Sequence, residues 1–201
     1  MPILWNNPPL TPGRSPRSRS SRSLRLLWTL ACCAGFAACQ REPAAPELSN
    51  APVYSNPQEG LRFLVPDGWT QTASSTLPPG SLGGEIFLTR YNLSSPEQGA
   101  SLQVLCLDDR ADLNLAQHHA EGSFRAASWQ PQGEPQAVDI HGVPATRLRY
   151  TTLLDNREMS KQVTCFRRRG RVYSFVGLFW SNDPYADQQL LRAIDSITWT
   201  P

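Results

Sequence analysis

The sequence predicts an α+β domain, a single and mainly antiparallel sheet layered with helices. Three observations predict it. Short apolar runs separated by Pro, Gly, Asn and Asp follow one another from residue 61 to residue 180, the pattern of strands joined by turns. One stretch with helical period, residues 112–127, interrupts them. A second helix closes the chain and carries its own start signal, Asp183-Pro184.

Taken in order, Leu61-Arg62-Phe63-Leu64-Val65 is a short apolar strand ended by Pro66-Asp67-Gly68, residues that suit a turn. Trp69 opens a second short extended piece. Residues 72–84, with Pro78-Pro79-Gly80 and Gly83-Gly84, read as a loop. Residues 85–92 (EIFLTRYN) and 101–108 (SLQVLCLD) are strand candidates. Across 112–127, Leu113, Ala116, Ala120, Phe124 and Ala127 share one helical stripe. Asp108, Asp109 and Asp112 cluster at its start, where the helix dipole favours acids, while Gly122 opposes the helix. Strands follow at 136–141, 144–154 and 159–168, the last pairing with 171–180 across Arg169-Gly170. In 144–154, Thr146, Leu148, Tyr150, Thr152 and Leu154 alternate with Ala145, Arg147, Arg149 and Thr151, a half-buried strand. Residues 171–180 (RVYSFVGLFW) are apolar at nearly every position, as in a central strand covered on both faces. The closing helix presents Leu190, Leu191, Ile194 and Ile197 on one face. The domain contains no internal repeat.

Composition narrows the function. The 201 residues carry 19 Lys+Arg against 17 Asp+Glu, a net charge of +2. That balance argues against a nucleic-acid partner, which calls for a strong basic excess. With 40% hydrophobic and 18% charged residues, the chain is not a disordered polyelectrolyte. No apolar run reaches the ~18–20 residues of a membrane-spanning helix.

The basic charge is unevenly placed. Arg14, Arg17, Arg19, Arg22 and Arg25 precede the first acid, Glu42, and residues 26–38 (LLWTLACCAGFAA) are uncharged and mostly apolar. A basic region followed by a short apolar run and small residues is a secretory signal. Residues 1–38 are therefore expected to be a signal peptide. Phe36-Ala37-Ala38-Cys39 resembles a bacterial lipobox, with Phe36 in place of the usual aliphatic residue; the resemblance implies a lipid on Cys39. Cys32 and Cys33 are rival sites that leave too short an apolar segment. Several acyl chains anchor a protein stably where one is marginal. Gln40 rather than Asp follows the Cys, which by the enterobacterial rule implies the outer membrane. An organelle transit peptide, rich in Arg and Ser and free of acids, is the alternative leader. Residues 39–52 read as a lipidated Pro-rich tether, with Pro43, Pro46 and Pro52, and 53–201 as the globular domain; extended Pro-rich chain spans ~3.1 Å per residue. Without the leader, 14 basic face 17 acidic side chains, a net charge of −3.

Several segments of the domain resemble PsbP-like domains and DcrB-like bacterial lipoproteins: the opening FLVPDGW, the hairpin VDIHGVPATRLRY, the stretch RRRGRVYSFVGLF and the closing LLRAIDSITW. The resemblance implies a PsbP-like fold and a noncatalytic role.

Candidate chemistry is sparse. Cys106 and Cys165 are an even pair in an exported domain; an oxidising compartment favours a disulfide, and two buried thiols packing as small hydrophobes are the other reading. His118 and His119 are adjacent on the predicted helix and point about 100° apart, poorly placed to chelate together; with Asp112 they are weak metal candidates, and no metal or other cofactor is expected. His141 before Gly142 reads as a turn residue. Arg167, Arg168, Arg169 and Arg171 crowd a hairpin tip, where they either dock a partner or keep a sheet edge from pairing. Trp69 and Trp180 either line a groove or belong to the core. No Gly-x-Ser-x-Gly elbow is present, and Gly80, Gly83 and Gly84 lack the Lys and spacing of a phosphate loop. The expectation is a noncatalytic, lipid-anchored cell-envelope protein facing the periplasm that binds an envelope protein partner. A soluble PsbP-like subunit of a photosynthetic or redox complex is the alternative, and a weak metal binder or enzyme the second.

Overall fold

A computed structural model describes residues 52–94, 99–123 and 126–200. The leader, Cys39 and most of the Pro-rich tether lie outside the described residues.

The elements run β1 (Val53–Asn56), β2 (Leu61–Leu64), β3 (Trp69–Ser74), β4 (Ile86–Ser94), β5 (Gly99–Asp108), α1 (Leu115–Ala120), β6 (Glu121–Ser123), β7 (Ala126–Ser128), β8 (Gln130–Pro131), β9 (Gln136–Ile140), β10 (Val143–Leu154), β11 (Arg157–Arg168), β12 (Arg171–Trp180), α2 (Pro184–Asp195) and β13 (Thr198–Trp199). The principal sheet has the order β3-β4-β5-β12-β11-β10-β8, and β9 also pairs with β10. Each of these pairings is antiparallel. The α+β expectation therefore holds, with two small sheets added, β1-β2-β13 and β6-β7.

The long strands follow from their sequences. β12 occupies 171–180 as predicted and is buried from Val172 to Phe179, because β5 and β11 flank it and layers cover both faces. On one face α2 packs Ala186, Leu190, Ala193 and Ile194 against Phe166, Phe175 and Phe179. α2 begins where its signals stand: the Asp183 side chain accepts from the Ala186 N–H at 3.0 Å and Pro184 takes the first turn. It passes so close to β12 that a Cβ on Gly177 would stand 2.7 Å from Leu190 Cδ1. On the opposite face Trp129, Tyr150, Val163 and Val176 form a second core, capped by Leu115, Ala116 and Ala120 of α1.

Three local expectations are corrected. The helix predicted over 112–127 is confined to Leu115–Ala120, capped by Asn114 rather than by the aspartates. The chain then turns into the β6–β7 hairpin, and Gly122 permits it: a Cβ there would lie 2.6 Å from the Ala127 carbonyl oxygen. Phe124 of the predicted stripe lies outside the described residues. Val53–Asn56, at the start of the globular domain and ahead of the first strand expected at Leu61, is itself a strand, paired with β2. β3 runs on to Ser74, into the region read as loop, by pairing with β4. His141 does occupy a turn, at φ 51°, and its Nε2 contacts the Asp195 carbonyl at 2.7 Å.

Candidate functional site

A cleft of about 390 Å³ opens beside α1; Glu85, Leu105, His118, His119, Ser123 and Lys161 are among its lining. Consecutive helical positions send the two histidines apart. His118 turns outward to Glu85 Oε2 at 2.9 Å, with both side chains about one-third exposed (31% and 34%). The Glu85 hydrogen bond raises its pKa above the ordinary value. His119 turns inward and is 3% exposed, with Nε2 3.1 Å from Ser174 Oγ and 3.7 Å from Cys165 Sγ. Burial first, then the Lys161 charge, lowers its pKa to about 3, so the ring is neutral near pH 7. Asp112 is exposed and sits 4.0 Å from Arg110, away from these partnerships. The weak metal site is therefore not assembled: among the described residues, no three His, Cys, Asp or Glu side chains converge on one point.

Lys161 is the cleft residue that sequence reasoning missed. It is the only lysine in the chain and is 3% exposed. Its Nζ donates to the His119 carbonyl at 2.6 Å and to Ser123 Oγ at 3.2 Å, and it stands 5.0 Å from the Trp129 ring centroid and 5.6 Å from that of Tyr150. Desolvation lowers its pKa to about 8. The signal was strand parity: Lys161 lies in phase with inward-facing Val163 and Cys165 on β11. Lys161 and His119 thus ionise unusually, yet their polar atoms join β11 and β12 to α1 and β6. General acid–base work needs a group that reaches substrate with a pKa near the working pH. Of the two histidines, only His118 turns outward at the cleft wall, and it is held by Glu85.

A second, more open groove of about 700 Å³ runs past Glu59, Ser81, Asp108, Arg110, Arg171 and Tyr173. Of the four clustered arginines, Arg169 and Arg171 line it. Period-two alternation sends Arg167 and Arg168 to opposite faces of β11. Arg167 pairs with Asp109, while the Arg168 guanidinium lies 4.9 Å from the Trp199 ring centroid. Arg169 forms the hairpin turn at φ 49°. Arg171 donates to Glu59 Oε1 at 3.0 Å and to the Pro78 and Gly80 carbonyls at 2.9 and 3.2 Å, and Tyr173 donates its hydroxyl to the same Glu59. Burial is the chief reason the Tyr173 pKa is raised. Asp108 accepts from Ser81 Oγ at 2.7 Å and from the Leu82 N–H; the Ser81 bond is the main cause of its lowered pKa. The aspartate read as a helix starter therefore fastens the loop before β4.

Of the two readings of the cysteine pair, the disulfide is not formed. Cys106 and Cys165 are both buried free thiols. β12 lies between their strands, with Tyr173 opposite Cys106 and Ser174 opposite Cys165. Two strand spacings are about 10 Å, beyond the ~7 Å between α-carbons that a disulfide tolerates. Tyr173 and Ser174 also point to opposite faces, so the two thiols belong to different cores. Burial raises both pKa values to about 12. Trp69 is core, its Nε1 donating to Gln189 Oε1 at 2.8 Å; Trp180 lies under the Arg157 guanidinium, 4.0 Å away.

No protein-family model matches the sequence, and no curated protein matches it. Solved structures do match in fold. The cyanobacterial PsbP (CyanoP) of Synechocystis sp. PCC 6803 superposes with a TM-score of 0.51 at 17% identity, over 78% of this chain and 98% of that one. LpqN, involved in cell envelope biogenesis of Mycobacterium tuberculosis, gives 0.45 at 14% identity over 79% and 88%. The Saccharomyces cerevisiae Ran-binding protein Mog1p gives 0.47 at 11% identity over 75% and 95%. The domain has the PsbP-like fold.

Proposed function

We propose that this chain is a noncatalytic accessory protein of the bacterial cell envelope, anchored by a lipid on Cys39 in the outer membrane and facing the periplasm. A Pro-rich tether would present its PsbP-like domain to an envelope protein partner. One observation carries the noncatalytic part: the unusual ionisable groups of the domain serve its own architecture. Lys161 and His119 fasten α1 to the sheet, and Glu59, Arg171 and Tyr173 fasten the loops before β2 and β4. The anchor rests on the basic leader, the apolar run and the lipobox-like FAAC.

Mass spectrometry of the mature N-terminus tests the anchor; an acylated Cys39 is expected, and an unmodified Cys39 or another start overturns it. Cross-linking in native membranes followed by affinity capture tests the partner. Release by a salt wash, without detergent, would favour the soluble-subunit alternative.

A further inference from the structure

We propose that the cleft beside α1 is a binding site for a small organic monocarboxylate with a short apolar body, with Arg90 as its anion-binding residue. The inference stands on the cleft itself and is independent of the lipid anchor. The cleft joins an apolar floor to a cation that lacks a counter-ion. Leu105 and Val176 floor it, 4% and 1% exposed, and Phe87 stands in its wall with 40% of its surface exposed. Phe87 is one of few large apolar side chains so exposed in the described domain, and it belongs to a concave surface. Its volume of about 390 Å³ lies within the range of small-molecule sites, which are mostly apolar with a few placed polar groups.

Arg90 supplies the charge. Its guanidinium lies 4.7 Å from the Phe87 ring centroid, and Nη2 reaches a neutral acceptor, Gln103 Oε1, at a long 3.4 Å. Nε is enclosed and has no hydrogen-bond partner among the described residues. No described carboxylate pairs with Arg90; the nearby Glu85 is engaged by His118. Arg147, Arg167 and Arg171, by contrast, each have a carboxylate within hydrogen-bond reach. A guanidinium presents a planar fork that matches a carboxylate in two parallel hydrogen bonds. A carboxylate on Arg90 would leave the rest of a small ligand against Phe87, Leu105 and Val176. His118 lies on the same cleft wall, and its cationic form would favour the same sign of ligand charge.

Calorimetric titration of the purified full chain with phenylacetate, and with its neutral isostere phenylacetamide, tests the site. Saturable phenylacetate binding at one site is expected, with phenylacetamide weaker by about tenfold or more, the worth of a charge-assisted hydrogen bond. Arg90→Gln should abolish that preference, and Phe87→Ala should weaken both probes alike. Circular dichroism establishes that each variant folds. If Arg90→Gln does not fold, Arg90→Lys keeps the charge without the fork and should retain only part of the preference. Equal binding of acid and amide by the wild type, no saturable binding of phenylacetate, or an unchanged preference in a folded Arg90→Gln overturns the proposal.

Discussion

Acid should weaken this fold through a single imidazole. His119 is 3% exposed, and its pKa in the folded chain is about 3 against 6.5 when unfolded. As pH falls below about 6.5, the unfolded chain takes up this proton and the folded chain does not. The stability held above that pH is therefore lost on acidification, down to the folded value. Each unit costs about 1.4 kcal/mol, so moving from neutral pH to about pH 4.5 removes about 3 kcal/mol. Against typical stabilities of 5–15 kcal/mol, that is a large share. The assay is urea unfolding of wild type and His119→Gln at several pH values in that range. The variant loses stability at every pH because the Ser174 contact changes, but it has no proton to take up at this position. The two stabilities should converge as pH falls, by about 3 kcal/mol at the acid end. Parallel curves would refute the reasoning and place the ring in contact with water.

Three further outcomes follow from packing and pairing. Alkylation under denaturing conditions without reductant should label both Cys106 and Cys165, and peptide mapping should show no link between them; a cross-linked peptide would contradict the strand order. Arg171→Ala leaves Glu59, whose side chain is 12% exposed, without its cation and should cost about 3 kcal/mol in chemical unfolding; a change too small to resolve would show that water already compensates that carboxylate. Gly177→Ala should cost about 1–3 kcal/mol by overpacking against Leu190, which is fully buried and has little room to retreat. Adding Leu190→Ala should recover part of that cost, and strict additivity would show that the two residues are not in contact.

What could be read from the residues divides along physical lines. α2 starts at Pro184 as read, because a cap and a first-turn proline are local signals. β12 matches 171–180 residue for residue, because its turn and its apolar run lie in neighbouring positions. α1 was overextended: Ala126 and Ala127 suit a helix, but pairing with Glu121–Ser123 outweighs so weak a preference. β1 and β13 have four and two residues, too few to show a period. The fate of the cysteines depended on strand order, since each strand is compatible with a bridge until β12 is placed between them. Lys161 was invisible because a charged residue in a strand reads as solvent-facing unless its parity is followed through, and Glu59 because it stands in the turn between β1 and β2, where a charge reads as solvated. Arg90 shares the cleft with Phe87, three residues earlier, because the register of β4 shifts between Phe87 and Thr89, and its lack of a counter-ion is a property of the assembled cleft.

The small sheet β1-β2-β13 joins the two ends of the described domain. β2 has β1 on one side and β13 on the other, with Leu61 opposite both Asn56 and Trp199, and the Thr200 N–H donates to the Gly60 carbonyl at 2.7 Å. A chain emerging from its N-terminal end can form the β1–β2 hairpin early, yet that hairpin gains its second neighbour only after residues 198–200 have appeared. Contacts so distant along the chain are slow to close. This flank of the domain is thus sealed last, and until then β2 keeps an open edge to which a chaperone, or a neighbouring nascent chain, has access.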